Sequence, residues 1–220
     1  MTDDNGKISS DEELMGKVAQ GDVQAFENLV YRHQRRILNL IFRFIGDRAQ
    51  AEDVAQDVFV RVWQASKNYE PKSKFTTWIY RITTNLCLDL LKSAHHRQIF
   101  VHPHVHAERP DEGDELFSCS NKTRSPEDLL LAAERSRQIS TALQNLPSNQ
   151  RLAIILKKFD GLSYHEIAQV LGCSVSAVES LLVRAKRSLR EKLLSVDSIQ
   201  VSDSPYISDP SLNPGTSQSF

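Results

Sequence analysis

The sequence predicts an all-α protein: two small helical domains joined by a flexible linker, the C-terminal one a helix-turn-helix. Three observations carry that expectation. Apolar residues recur at helical spacing from residue 11 to about 97, with little Gly or Pro and no sustained strand-like alternation. The periodicity stops over 98–125, where Pro, Gly, Ser and the acidic run "DEGDE" take over. It resumes at 126, and "LSYHEIAQVLGCSVSAVESLLVRAKRSL" (162–189) then reads as helix, tight turn, helix.

Residues 1–10 are polar and read as a flexible N-terminus. "DEELMGKVAQGDVQAFENLVYRHQRRILNLIFRFIG" gives two helical segments broken near Gly21. In the second, Phe26, Leu29, Val30, Ile37, Ile41 and Ile45 share one side. Gly46 suits a helix C-cap, and Asp47 can start the next helix, whose Val54, Val58, Val62 and Ala65 form a stripe. "PKSKFTTW" is a short polar loop. The helix after it carries Trp78, Ile82, Leu86 and Leu90 or Leu91 on one side. After the linker, Ser125 can cap a helix that has Pro126 at its first position. "LPSNQRLAIILKKFDGL" supplies another helix. Ser163 and Glu166 have capping-box spacing, Gly172 sits at the turn, and Ser174 can cap the last helix. That helix carries Val178, Leu182, Ala185, Leu189 and Leu193 on one face. The second helical domain thus covers 126–194. From 195 to 220 the chain is rich in Ser and Pro with few large apolar residues, and reads as a disordered tail.

Composition removes several functional classes. The net charge is −1, so the chain is not basic throughout, and charge must be read segment by segment. No apolar run approaches a membrane span, and the acidic start lacks the form of a signal peptide, so a cytoplasmic protein is expected. Cys87, Cys119 and Cys173 are far apart, without paired zinc spacing, and read as reduced thiols. His102, His104 and His106 alternate in the linker, with His95 and His96 upstream. Without an acidic or thiol partner at fixed spacing they do not define a metal site, and no metal or cofactor is expected. The N-terminal half offers no nucleophile with a supporting base or Arg cluster, which argues against a DNA enzyme such as a recombinase.

DNA binding fits the helix-turn-helix better. Opposite the apolar stripe of the last helix stand Ser176, Ser180, Val183, Arg184 and Arg187, and Ser174 at the cap and Glu179 inside the helix complete the candidate DNA-binding set. Small and polar groups come first, to approach base edges; Arg comes later, to grip phosphate. From Arg151 to Lys192 there are eight Lys or Arg against four acids. Glu179 is the odd member. It is either a surface residue paired with a nearby cation or an acceptor for the N4 amino group of a cytosine.

The N-terminal motifs narrow the reading. "DEELMGKVAQGDVQAFENLVYRH", "AEDVAQDVFVRVWQ", "FTTWIYRITTNLCLDLL" and "LPSNQRLAIILKKFDGLSYHEIAQVLGCSVSAVESLLVRAKRSL" together resemble the sigma-70 family of bacterial RNA polymerase sigma factors, of the small extracytoplasmic-function (ECF) type. The resemblance implies that 11–97 is sigma domain 2 and 126–194 is sigma domain 4. It implies a non-enzymatic subunit that binds core polymerase at the β′ clamp and β flap, recognises −35 and −10 promoter elements and aids melting. Glu52, Asp53, Gln56 and Asp57 are then the polymerase-binding set, and Phe59 and Trp63, spaced i, i+4, are either core or part of that docking surface. Lys72, Ser73, Lys74, Phe75, Thr76, Arg81, Asn85 and Asp89 become the −10 and melting set, with Trp78 and Tyr80 as further aromatics nearby. The linker is expected to thread near the active centre, and an anti-sigma factor, sometimes membrane-anchored, is an expected partner. Many family members carry a basic residue where Glu179 or Leu181 stands, so this recognition helix departs from that version of the pattern. The competing reading is a conventional dimeric helix-turn-helix regulator, which would bind a palindrome and not associate with polymerase.

Overall fold

The computed structural model describes residues 9–98 and 126–202, and these form eight α-helices with no strand among them. The order is α1 (Asp11–Ala19), α2 (Val23–Ile45), α3 (Arg48–Ala65), a 3-10 turn (Ser66–Asn68), α4 (Phe75–Gln98), α5 (Pro126–Gln144), α6 (Ser148–Lys158), α7 (Tyr164–Leu171) and α8 (Val175–Ser202). The all-α expectation holds. The linker with its histidines, the Ser125 cap and the segment 203–220 lie outside the described residues.

Helix boundaries follow local chemistry. Ser10 and Glu13 close a capping box on α1, and Asp22 accepts from the Ala25 N–H to start α2. Gly46 ends α2 with φ 88°, a left-handed backbone that suits only glycine here. A Cβ at Gly46 would also meet Gln144 Nε2 of α5 at 2.8 Å, so the bare glycine admits the close approach of α5. Asp47 then caps α3 through the Gln50 N–H. In the C-terminal half Ser163 and Glu166 form the expected box, Gly172 turns the chain with φ 64°, and Ser174 accepts from the Ala177 N–H. The one extension beyond expectation is α8, which continues past 194 to Ser202.

The N-terminal bundle packs α2 against α1, α3 and α4 around Leu29, Ile37, Leu40, Ile41, Phe44, Val58 and Val62, all almost fully buried. The C-terminal bundle packs α5, α6 and α7 on α8 around Leu143, Leu152, Ile155, Leu156, Ile167, Val178 and Leu182. The two bundles touch. α2 reaches α5 and α6, and α4 packs on α7, so the buried residues form one continuous cluster.

Candidate nucleic-acid interface

The helix-turn-helix displays the face predicted for it. Val178, Leu182 and Ala185 are buried, while Ser174, Ser176, Glu179, Ser180, Val183, Arg184 and Arg187 are all exposed. Val183 is 67% exposed, high for a valine and suited to a surface that meets the methyl groups of a DNA groove. Ser180 Oγ donates to the Ser176 carbonyl at 3.0 Å, and Arg184 Nε donates to the Ser180 carbonyl at 3.2 Å. Arg187 lies 3.8 Å from Glu191. Glu179 has no ion pair among the described residues, so the surface-pair alternative finds no partner in this arrangement.

The polar loop and α4 form a second surface. Lys72, Lys74, Arg81, Asn85 and Asp89 are exposed, and Ser73 and Thr76 are half-buried. Lys72 pairs with Glu70 at 2.5 Å, and Asp89 with Lys92 at 3.3 Å. Two aromatics differ from expectation. Phe75 is 1% exposed, held among His33, Tyr69 and Trp78. Tyr80 is also buried, and its hydroxyl donates to Asp160 at 3.1 Å. Neither ring is open to stack on a base in this arrangement. Polar neighbours in the sequence hid them, because loop composition does not report which ring turns inward.

On α3, Glu52, Asp53, Gln56 and Asp57 share an exposed face. Glu52 and Gln56 also line a groove of about 900 Å³ between α2 and α3, floored by Phe26, Val30, Leu38, Phe59 and Trp63. Asp53 and Asp57 do not line it. Sequence reasoning found the acidic rim and left Phe59 and Trp63 open between core and docking surface, but missed Phe26, Val30 and Leu38 as part of the floor. The overlooked signal was Val60, which lies off the Val54–Val58–Val62 stripe and is 52% exposed at the groove. A second groove, of about 420 Å³, lies between α6 and α8 and combines Ile154, Leu189, Leu193 and Leu194 with Lys158, Lys186 and Arg190.

Comparison with known proteins bears on these surfaces. Residues 29–97 match the family described as Sigma-70 region 2, and residues 136–189 match Sigma-70, region 4. The RNA polymerase sigma-H factor of Pseudomonas aeruginosa is 36% identical over 185 residues, which span 83% of this chain and 93% of that protein. The chain belongs to the sigma-70 family, as a sigma factor of the ECF type. The ECF RNA polymerase sigma-E factor of Escherichia coli K12 is 32% identical, over 84% of this chain and 94% of that one. Among solved structures, CnrH in complex with the cytosolic domain of CnrY superposes with TM-score 0.59 at 26% identity, covering 89% of this chain and all of that one. RpoE in complex with the anti-sigma factor NepR from Bartonella quintana gives 0.58 at 23%, covering 76% and 96%, and shows the shared fold. This sigma factor therefore binds core RNA polymerase and promoter DNA and directs promoter-specific initiation of transcription.

In the sigma factor the loop before α4 and the helix-turn-helix lie side by side. Lys74 Nζ is 3.0 Å from Glu166 Oε1 on α7. The Ser163 backbone and side-chain hydrogen bonds, helped by Lys74, hold the Glu166 carboxyl down to about 2, so it stays charged. Burial pushes the Asp160 carboxyl up to about 6, against the Tyr80 hydrogen bond and the charges of Arg43 and Arg36. Arg43 stacks over Phe159 at 4.4 Å, and Gln144 Nε2 donates to the Arg43 carbonyl at 3.4 Å. Beneath them Arg151 Nη1 donates to the Phe44 carbonyl at 2.6 Å. Sequence reasoning missed this seam, because every contact in it joins residues far apart in the chain. No single helix among the described residues is long and apolar enough to cross a membrane.

Proposed function

We propose that the sigma factor divides its work as region 2 over residues 11–97 and region 4 over 126–194, tethered by 98–125. Ser174, Ser176, Glu179, Ser180, Val183, Arg184 and Arg187 read the −35 element. Lys72, Ser73, Lys74, Thr76, Arg81, Asn85 and Asp89 read the −10 element and hold the melted strand, with Phe75 supporting the loop from beneath. The observation that carries this division is the exposed polar face of α8 set against its buried Val178, Leu182 and Ala185. Opening duplex DNA costs about 1–2 kcal/mol per base-pair step. A chain without ATP chemistry offsets that cost only by capturing unpaired bases and phosphates, and α4 offers exposed cations and amides for this. The α2–α3 groove, with Glu52, Asp53, Gln56 and Asp57 at and beside its rim, takes the β′ clamp. The α6–α8 groove takes the β flap, whose apolar side chains would meet Leu189 and Leu193. The solved relatives CnrH and RpoE are held by CnrY and NepR, which supports an anti-sigma partner here too, membrane-anchored or not. The protein acts in the cytoplasm and is not an enzyme.

The test mixes the purified chain with sigma-free core polymerase and follows open-complex transcription from a candidate ECF promoter. Asn85→Ala is expected to weaken use of the −10 element while leaving core affinity intact. Collapse of core binding in that variant would remove α4 from the −10 surface. Glu179→Gln is expected to shift base preference at one −35 position, where the −35 cores read by this family offer cytosines on one strand or the other. It replaces an acceptor for the cytosine amino group with a group that also donates. An unchanged preference profile would return Glu179 to the role of a solvated surface acid.

A further inference from the structure

The loop that precedes α4 has no cap of its own. The residue before Phe75 is Lys74, whose side chain only donates hydrogen bonds. The Phe75 N–H is nevertheless satisfied, by Glu12 Oε1 of α1 at 2.9 Å, from sixty-three positions away in sequence. The carboxylate therefore sits at the positive end of a 24-residue helix, where negative charge is favoured. Helix α1 is itself pinned. Leu14, Met15 and Val18 are buried, and Asp11 bridges Arg32 at 2.9 Å and His33 at 2.8 Å. The His33 ring lies 5.1 Å from the Phe75 ring, so both the backbone and the side chain of Phe75 are held from the α1–α2 pair. Glu12 lies ahead of the segment that matches Sigma-70 region 2.

We propose that Glu12 is a positioning residue for −10 recognition: it fixes the first turn of α4 and so sets where Ser73, Lys74 and Thr76 meet DNA. The inference rests on the reading of that loop as the −10 reader. Charge is part of the device, since a carboxylate acts on the helix dipole as well as accepting the hydrogen bond, whereas an amide keeps an accepting oxygen but carries no charge.

The experiment uses the full chain with core polymerase and a promoter library varied across the −10 element, well below the melting temperature of each variant. Glu12→Ala is expected to lower open-complex formation about fivefold, the effect of losing a good N-cap, and to flatten the −10 base preference. Core affinity should stay unchanged. Glu12→Gln retains an accepting oxygen but not the charge, and is expected to recover only part of the preference. Lys74→Ala serves as the direct loop variant. If it alters the −10 profile while Glu12→Ala leaves it as in the parent, Glu12 is only a structural cap and the proposal is overturned. If neither variant moves the profile, the reading of the loop fails and this inference with it.

Discussion

Linking residues 74 and 166 through a short bis-methanethiosulfonate, which joins each thiol by a disulfide and expels sulfinate, is expected to cut promoter-dependent transcription at least tenfold, with recovery once a reductant cleaves the link. The variant carries Lys74→Cys and Glu166→Cys, with Cys119 and Cys173 changed to Ser; Cys87 is buried and can remain. The expectation follows from lengths. The −35 and −10 elements lie about 25 base pairs apart by position, which is about 85 Å of duplex at about 3.4 Å per pair. In the chain, Lys74 Nζ and Glu166 Oε1 are 3.0 Å apart, and Glu166 lies on the helix just before the recognition helix. No placement of one duplex lets both surfaces act while that contact persists. If the loop before α4 reads the −10 element and α8 the −35 element, as proposed, the two bundles must separate on the promoter, and the link forbids it. Each variant acts as its own control, because the cleaved sample retains both substitutions, including the lost Lys74 amine and the lost capping carboxylate. Full transcription by the linked sample would mean that the two promoter elements are not read by these two bundles at once.

Which parts of this were legible in the sequence depends on the range of the interaction concerned. The caps at Gly46, Asp47, Ser163, Gly172 and Ser174 act within four residues and were readable from spacing alone. The buried stripe of α8 was readable because helical periodicity reports a face. Phe75 and Tyr80 were not, since a ring in a polar segment turns inward or outward according to partners elsewhere: His33 for Phe75 and Asp160 for Tyr80. The apolar floor of the α2–α3 groove was half legible. Phe26 and Val30 stood in the stripe of α2 as core residues, but a residue shared between core and groove has the same spacing as one wholly inside. The trans cap from Glu12 had no sequence signal, because its acceptor and donor lie in different helices.

Replacing Arg151 with Met is expected to destabilise the folded chain by on the order of 3 kcal/mol, read by denaturant unfolding. Arg151 is 7% exposed, and burial lowers its pKa, yet its hydrogen-bond acceptors are carbonyls and an amide rather than a carboxylate. Nη1 serves the Phe44 carbonyl and Gln144 Oε1, while Nη2 serves the carbonyls of Gln144 and Leu146. The first lies at the C-terminal end of α2, and the next two backbone oxygens lie at and just beyond the end of α5. These are the ends where helix carbonyls lack intrahelical partners and carry partial negative charge. One guanidinium thus closes two helix ends and sits 5.1 Å from the Phe44 ring. Met keeps the apolar stem and removes all four donations; each acceptor left buried and unpaired costs about 1–3 kcal/mol before water relieves some of it. Lys is expected to recover only part, since a single ammonium lacks the planar fork that spans both ends. A loss of under about 0.5 kcal/mol, typical of a surface change, would show that Arg151 does not hold the seam. Separation of the bundles on a promoter gives up the bond to Phe44 and keeps those to Gln144 and Leu146. Arg151 should therefore matter both to the closed chain and to the C-terminal bundle alone, whereas Tyr80→Phe, which touches only the seam, should weaken closure without unfolding either bundle.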